Sequence, residues 1–384
     1  MTSLEKQKNG LRTWIEIDKK AVEHNYQTIR GLLSPECKMM SVVKSNAYGH
    51  SLVDFSHEIE NLGADWIGVD SVWEALALRK DGIKKPILVL GFTLPEKLEE
   101  SAENDISITI SSFEVLEVLK EIKSEKTAKI HIKVDTGMGR QGFLPQDLEK
   151  VLEFLLKIKD QGLRIETEGL YTHFASAKNP AFPKYTFGQI EIFKKWVEAF
   201  NGAGFDPIKH AAASSATLIF SESHFDLVRV GISMYGLWPS PEVEAFCREK
   251  IILKPVLSWK TVIGEIKDLP KGSKIGYDST ETLEKDSRIA VCPIGYWHGF
   301  PRALSSIGRV LINGKRCRVI GRVSMDMITI DVSKSGEVKI GDEVVIIGKQ
   351  DGEEITASDL GYLSDTTNYE IITRINPLIK RIYK

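Results

Sequence analysis

A lysine closes the apolar run Met39-Met40-Ser41-Val42-Val43-Lys44 and is followed by Ser45-Asn46-Ala47-Tyr48-Gly49-His50. Burial at the end of such a run penalises an ammonium, so Lys44 is expected to be partly desolvated, with a lowered pKa, and to act as a neutral amine that condenses with an aldehyde. Four more polar residues follow apolar runs further along: Arg140 in DTGMGRQG, His173 in YTHFAS, Ser214 after IKHAAA, and Arg229 in VRVG, just before Gly231. Ser214, Ser215 and the small Gly231 suit a phosphate, offering hydroxyls and a backbone that a ligand can approach closely. An amine donor beside a phosphate cradle points to pyridoxal 5'-phosphate. A cation such as Arg229 at the pyridine nitrogen would keep that nitrogen unprotonated and weaken the ring as an electron sink. Taken singly, each of these residues is more often solvated or ion-paired than functional; their coincidence is what carries weight.

A repeated βα architecture would bring the five together. Eight short apolar, β-branched runs are predicted as strands: 38–44, 65–70, 86–91, 106–110, 129–135, 164–174, 207–212 and 225–232. Between them lie SVWEALALRK, SSFEVLEVLKEIK and PQDLEKVLEFLLKI, whose apolar positions recur every three and four residues, as on one face of a helix. Eight such units predict an α/β fold, a (β/α)8 TIM-type barrel, with functional groups gathered at the C-terminal ends of the strands. The absence of GxGxxG after the first strand makes a dinucleotide fold the weaker reading. Beyond Pro239 the pattern changes to short alternating runs separated by glycine turns, including VLINGKRCRVIG, where Asn313-Gly314 signals a hairpin. The expected domains are a barrel over 13–245 and a mostly β domain over 246–384. The early strand RTWIEID is free to join either, and Asp18 is placed to cap a helix running to about Leu33.

Composition narrows the partners. The 384 residues carry 51 Lys and Arg against 53 Asp and Glu, a net charge of −2, which argues against general affinity for nucleic acid or an anionic membrane. The four cysteines, Cys37, Cys247, Cys292 and Cys317, form no CxxC pair, so no metal site is expected and a reducing cytoplasm fits best. The opening MTSLEKQKNGLR lacks an apolar core, and no stretch approaches the roughly 18 apolar residues of a spanning helix.

With these residues in place, the sequence resembles the alanine racemases. VVKSNAYGHS resembles their cofactor-lysine motif, and VDTGMGRQGF, THFASA, VRVGISMYG, IGYDST and GRVSMDM are similar to further motifs of that family in the same order. The resemblance implies a fold-type III enzyme that interconverts L- and D-alanine and supplies D-alanine for peptidoglycan. It also implies a homodimer whose active sites borrow residues from the partner's β domain. Lys44 then matches the lysine that holds the cofactor and acts as base toward the D-enantiomer, and Tyr277 matches the opposing base, donated by the other subunit. His173 matches a residue that supports that tyrosine. Arg140 matches the arginine on the substrate carboxylate and the cofactor's phenolic oxygen, and Met325 a partner-chain residue whose backbone touches that carboxylate. Tyr48, Ser214, Gly231, Ile232 and Tyr369 match positions that hold the phosphate. Arg229 matches the residue at the pyridine nitrogen, supported by His210. Tyr296 resembles an entryway residue that narrows the site, and Lys133 a lysine that is carbamylated in some members and orients the arginine matched by Arg140.

The chain departs from the family pattern at Ala213, usually Asn, at Ser51, usually Gly, and at Trp297-His298, usually small and acidic. These bear on substrate breadth, with serine the nearest alternative substrate. A decarboxylase of the same fold type would share the barrel, cofactor and dimer, but it is expected to carry a carboxylate at the pyridine nitrogen and a cysteine in the β domain. Arg229 and Tyr277 speak against it. A non-catalytic cofactor carrier would leave the β domain unexplained.

Overall fold

The computed structural model describes residues 7–384; the first six residues of the opening segment lie outside the described residues. Nine strands cover the first part of the chain: β1 (Thr13–Ile17), β2 (Lys38–Val42), β3 (Trp66–Val69), β4 (Ile87–Val89), β5 (Ile106–Ile110), β6 (Ala128–Val134), β7 (Ile165–Thr172), β8 (Ile208–His210) and β9 (Leu227–Val230). Strands β2 to β9 form one eight-stranded sheet in which each neighbouring pair is parallel, in the order β8-β7-β6-β5-β4-β3-β2-β9. The ends meet where Asp226 N donates to Lys209 O (3.0 Å) and Arg229 N to Ala212 O (2.9 Å), which closes the sheet into the predicted barrel.

The chain divides into two compact units. One comprises Val22–Ala47 and Leu52–Lys254; the other comprises Met1–Ala21, Tyr48–Ser51 and Pro255–Lys384, of which residues 7 onward are described. In the barrel unit, strands are followed by helices such as Val72–Lys80 and the amphipathic Leu148–Asp160. The first of these is capped by the Ser71 hydroxyl, which accepts from Glu74 N. Inside the barrel, Met40, Trp66, Leu88 and Leu227 pack together, each burial contributing about 1.5–3 kcal/mol.

The second unit is mostly β. Strand β1 belongs to it, antiparallel to Leu257–Val262 and parallel to Lys380–Tyr383, so the early strand left open by its pattern lies in the β sheet. Asp18 does begin the following helix, Lys19–Arg30, its carboxylate accepting from Ala21 N at 3.1 Å. The hairpin at Asn313-Gly314 joins Arg309–Ile312 to Lys315–Ile320, with Ile312 opposite Lys315 and both turn residues at positive φ (49° and 67°). That is the conformation a two-residue turn needs to match the twist of its strands. Among the described residues, no helix is long and apolar enough to cross a membrane, no group of His, Cys, Asp and Glu could hold a metal ion, and all four cysteines are buried free thiols.

Candidate active site

Lys44 follows the C-terminal end of β2, and the chain leaves it in an unusual way. Ser45, Asn46, Ala47 and Tyr48 all adopt left-handed φ between 51° and 57°, a conformation that costs non-glycine residues roughly 1–2 kcal/mol each. Side chains and backbone hold this strained turn. The Glu74 carboxylate accepts from Ser45 N (2.7 Å) and from Asp70 N (2.8 Å), tying the turn to the end of β3, while Ala47 N donates to Val43 O (2.7 Å). The ammonium of Lys44 itself pairs with Asp70 at 3.2 Å and its side chain is 39% exposed. Lys44, expected at the end of a buried run, thus stands partly exposed and beside a carboxylate just before the strained turn.

The lysine of the barrel that burial affects most is Lys133, on β6. Burial, and then the charges of Arg140, Arg229 and Lys44, bring its pKa down to about 7. Its ammonium lies 2.9 Å from Gln141 Oε1 and 5.3 Å from the Tyr171 ring centre. Arg140 sits on a loop built around Asp135, whose carboxylate accepts from the backbone N–H groups of Gly137 (2.9 Å), Met138 (2.7 Å) and Arg140 (2.9 Å). Gly142 closes that loop at φ 136°, where a Cβ would stand 2.5 Å from Asp135 N, so no other residue fits.

Arg229 is buried on β9, and its guanidinium spans the closure of the barrel. It donates to His210 Nδ1 (2.9 Å), Thr172 O (2.7 Å), Ala211 O (2.9 Å) and His173 Nδ1 (3.3 Å). Burial lowers the Arg229 pKa to about 10, and burial with nearby cations holds His173 and His210 well below the usual histidine range. Both imidazoles are thus neutral, and since arginine only donates, their Nδ1 atoms accept and their protons sit on Nε2. After β8, buried Ser214 begins the short helix Ser214–Ile219, and its hydroxyl accepts from Gly231 N at 3.0 Å, which joins the two segments expected to hold a phosphate. Ile232 opens the 3-10 turn that follows Gly231.

In the β unit, Tyr48 and Tyr369 come together, ring centres 6.3 Å apart, and burial pushes the Tyr48 phenol up to about 12 and raises that of Tyr369. The segment around Gly49 is fastened there. Arg381 Nε donates to Gly49 O (3.0 Å), Tyr383 Oη to His50 O (2.6 Å), and a Cβ on Gly49 would lie 2.1 Å from Ile372 O. Tyr296 and Met325 are brought together by paired backbones: Tyr296 N donates to Ser324 O and Trp297 N to Met325 O, both at 3.0 Å. Gly295 permits this approach, since its Cβ would fall 2.3 Å from Ser324 O. Tyr277 follows Gly276 (φ 71°) on a short turn and is 69% exposed; Tyr296 and Met325 are 44% and 52% exposed.

Four neighbours escaped the sequence reading: Asp70 and Glu74 around Lys44, and His131 and Glu168 behind His210. Each had a signal. His131 shares the β6 face of Lys133 two residues on, and Glu168 precedes a glycine inside a strand, where a bulge is common.

Two family models match the chain: alanine racemase, N-terminal domain, over residues 17–239, and alanine racemase, C-terminal domain, over residues 256–383. The chain is 42% identical over 373 residues to an alanine racemase of Methanococcus maripaludis, covering 96% of this chain and 98% of that protein. It is 39% identical over 379 residues to an alanine racemase of Symbiobacterium thermophilum, covering 98% of each. Among solved structures, alanine racemase from Bacillus anthracis with bound L-Ala-P superposes with a TM-score of 0.91 at 38% identity, covering 97% of this chain and 95% of that one.

Proposed function

Because the chain belongs to the alanine racemase family, we propose that it interconverts L- and D-alanine using pyridoxal 5'-phosphate, as a homodimer with shared two-base sites. In a cell it would act in the cytoplasm, supplying D-alanine for peptidoglycan. The observation that carries this reading is the set of cations, Lys44, Lys133, Arg140 and Arg229, close enough around His173 to depress its pKa together. Such a set favours an occupant bearing several negative charges, and a phosphorylated aldehyde with a phenolic oxygen is one. The residues of this barrel therefore fit the cofactor. Ser214, Gly231 and Ile232 would hold its phosphate.

When bound, the cofactor supplies delocalisation for the electron pair left at Cα. The residues of the chain must do the rest. Arg229, a permanent donor, would face the pyridine nitrogen and keep it unprotonated, so the ring withdraws electrons weakly and the two bases must be well placed. Inverting Cα requires removing a proton from one face and returning one to the other. Lys44 takes the face of the D-enantiomer and the partner subunit's Tyr277 that of the L-enantiomer. A phenol titrates near 10 and needs a donor to act as a base near neutrality. His173 can supply one, because Arg229 occupies its Nδ1 and leaves Nε2–H to donate. Arg140 and the backbone of the partner subunit's Met325 hold the substrate carboxylate, and Tyr296 narrows the approach to small side chains.

Incubation of the protein and pyridoxal 5'-phosphate with L-alanine in D2O, followed by chiral separation and mass analysis, tests the proposal. D-alanine carrying deuterium at Cα is the expected result. Absence of both exchange and D-isomer overturns it.

A further inference from the structure

Behind Arg229, the barrel interior contains a line of polar side chains that the proposed reaction does not use. His210 Nε2 lies 2.9 Å from His131 Nδ1, His131 Nε2 lies 3.1 Å from Glu168 Oε2, and Ser107 donates its hydroxyl to the same carboxylate oxygen at 2.5 Å. His131, His210 and Arg229 are all buried, so these groups have one another as partners in place of bulk water.

The proton order in this line follows from its two ends. A guanidinium only donates, so His210 Nδ1 accepts and the His210 proton sits on Nε2. That proton faces His131 Nδ1, which must accept, so the His131 proton sits on Nε2 and points at Glu168. Glu168 completes the series as an ionised acceptor: burial pushes its carboxyl up, but the bonds from His131 and Ser107 outweigh this and hold it below the usual range. Every proton in the chain points from Arg229 toward Glu168.

The backbone is shaped for this line. The pairing of β6 with β7 runs from Ile130 opposite Thr167 directly to His131 opposite Gly169, which leaves Glu168 as the extra residue of a bulge. A bulge re-aims its extra side chain, here toward His131. At Gly169, a Cβ would stand 2.0 Å from His131 Nδ1, so the glycine is the space the imidazole occupies. Trp66 meets the His131 ring edge-on and Tyr171 stacks on His210 at 4.6 Å, which fixes both ring planes.

We infer that Glu168 is the anionic end of a proton-ordered chain, Arg229–His210–His131–Glu168, and that His131 and Glu168 are positioning residues for Arg229. The chain gives a buried cation its counter-charge at a remove of two imidazoles. A carboxylate touching Arg229 directly would instead compete with whatever the guanidinium faces at the mouth. This inference rests on the placement of Arg229 at the pyridine nitrogen proposed above.

The test is made on holoenzyme labelled with 15N-histidine, with the resonances assigned by those lost in His131→Gln and His210→Gln. Nδ1 of both residues should be pyridine-like and Nε2 pyrrole-like; a proton on Nδ1 of either, or a doubly protonated ring, at neutral pH overturns the chain. Glu168→Gln keeps the shape and removes the charge. It should move the His131 Nε2–H resonance, shift the absorption of the bound cofactor, and lower kcat about tenfold, the loss of one charge-assisted hydrogen bond, with KM for alanine little changed. Glu168→Asp should recover part of that loss. Glu168→Gln with wild-type kcat and spectrum would count against the positioning role, and if that variant fails to fold, the tautomers of the wild-type protein still decide. Failure of the wild type to racemise alanine would remove the functional reading while leaving the tautomers to report on the chain.

Discussion

In the barrel, Arg229 is 3% exposed and donates to four partners, whereas in the β unit Tyr277 is 69% exposed on a turn of left-handed residues. The barrel groups take their charge states from one another: mutual repulsion and burial make Lys133 and His173 poor cations, and hydrogen bonds dictate tautomers. In the β unit burial raises the phenols of Tyr48 and Tyr369, but Tyr277, Tyr296 and Met325 stand exposed. Their backbones are tightly placed, by Gly276 and Gly295, but their side chains point into solvent. The contrast teaches that half of the proposed chemistry is prepared within one chain. The other half stands on exposed side chains, as the shared site proposed above would need.

That contrast can be broken most sharply at Lys44. Lys44→Ala should abolish attachment of the cofactor, seen as loss of its bound absorption band, and reduce racemisation by on the order of 10⁴-fold, the upper range for a positioned acid–base group. Tyr277→Phe should retain the cofactor and lose about 10²–10³-fold. Its signature is one-sided: Cα–deuterium should still wash out of D-alanine but not out of L-alanine, and equal wash-out from both would remove Tyr277 from its assigned face. Mixing the two variants sharpens the point. After subunit exchange, each heterodimer should regain one intact site, returning about a quarter of wild-type activity; no recovery would confine both bases to one chain.

Lys133 probes the barrel's self-tuning, with an expected effect near tenfold. Its pKa falls from an ordinary 10.5 to about 7, so between these values the unfolded chain binds the extra proton and the folded one does not. This residue's contribution to stability is therefore full above about 10.5 and is lost as pH falls through about 7, which a pH series of unfolding on Lys133→Met against wild type should show. The same neutral amine is the form that adds CO2, and an intact mass higher by one CO2, absent in Lys133→Met, would identify the carbamate. Lys133→Met should lower kcat/KM by about tenfold through a less fixed Arg140. The smallest effect is expected at Gly295→Ala, where the added Cβ meets Ser324 O. Stability should fall by about 1–3 kcal/mol, and KM for alanine should rise more than kcat falls.

All eight barrel strands lie within the runs picked out by hydrophobic pattern, apart from Ala128 at the start of β6, because strands buried on both faces read as continuous apolar runs. The hairpin at Asn313-Gly314 was equally legible, since few dipeptides suit that turn. The environment of Lys44 was not. The residues before it are apolar, yet its ammonium pairs with Asp70, twenty-six positions on. Glu168 was half legible: the glycine after it hints at a bulge, but its partner His131 lies on another strand, and only the register slip between the two brings them together.

Local periodicity and turn chemistry alone gave the order of the barrel strands, the Asn313-Gly314 hairpin and which residue types stand at the strand ends. Only the tertiary structure decided which lysine is desolvated, which nitrogen of each buried histidine carries the proton, and that a carboxylate stands at the far end of the arginine's chain. Those properties depend on dielectric and on partners distant in sequence, and they come into being only when the barrel closes.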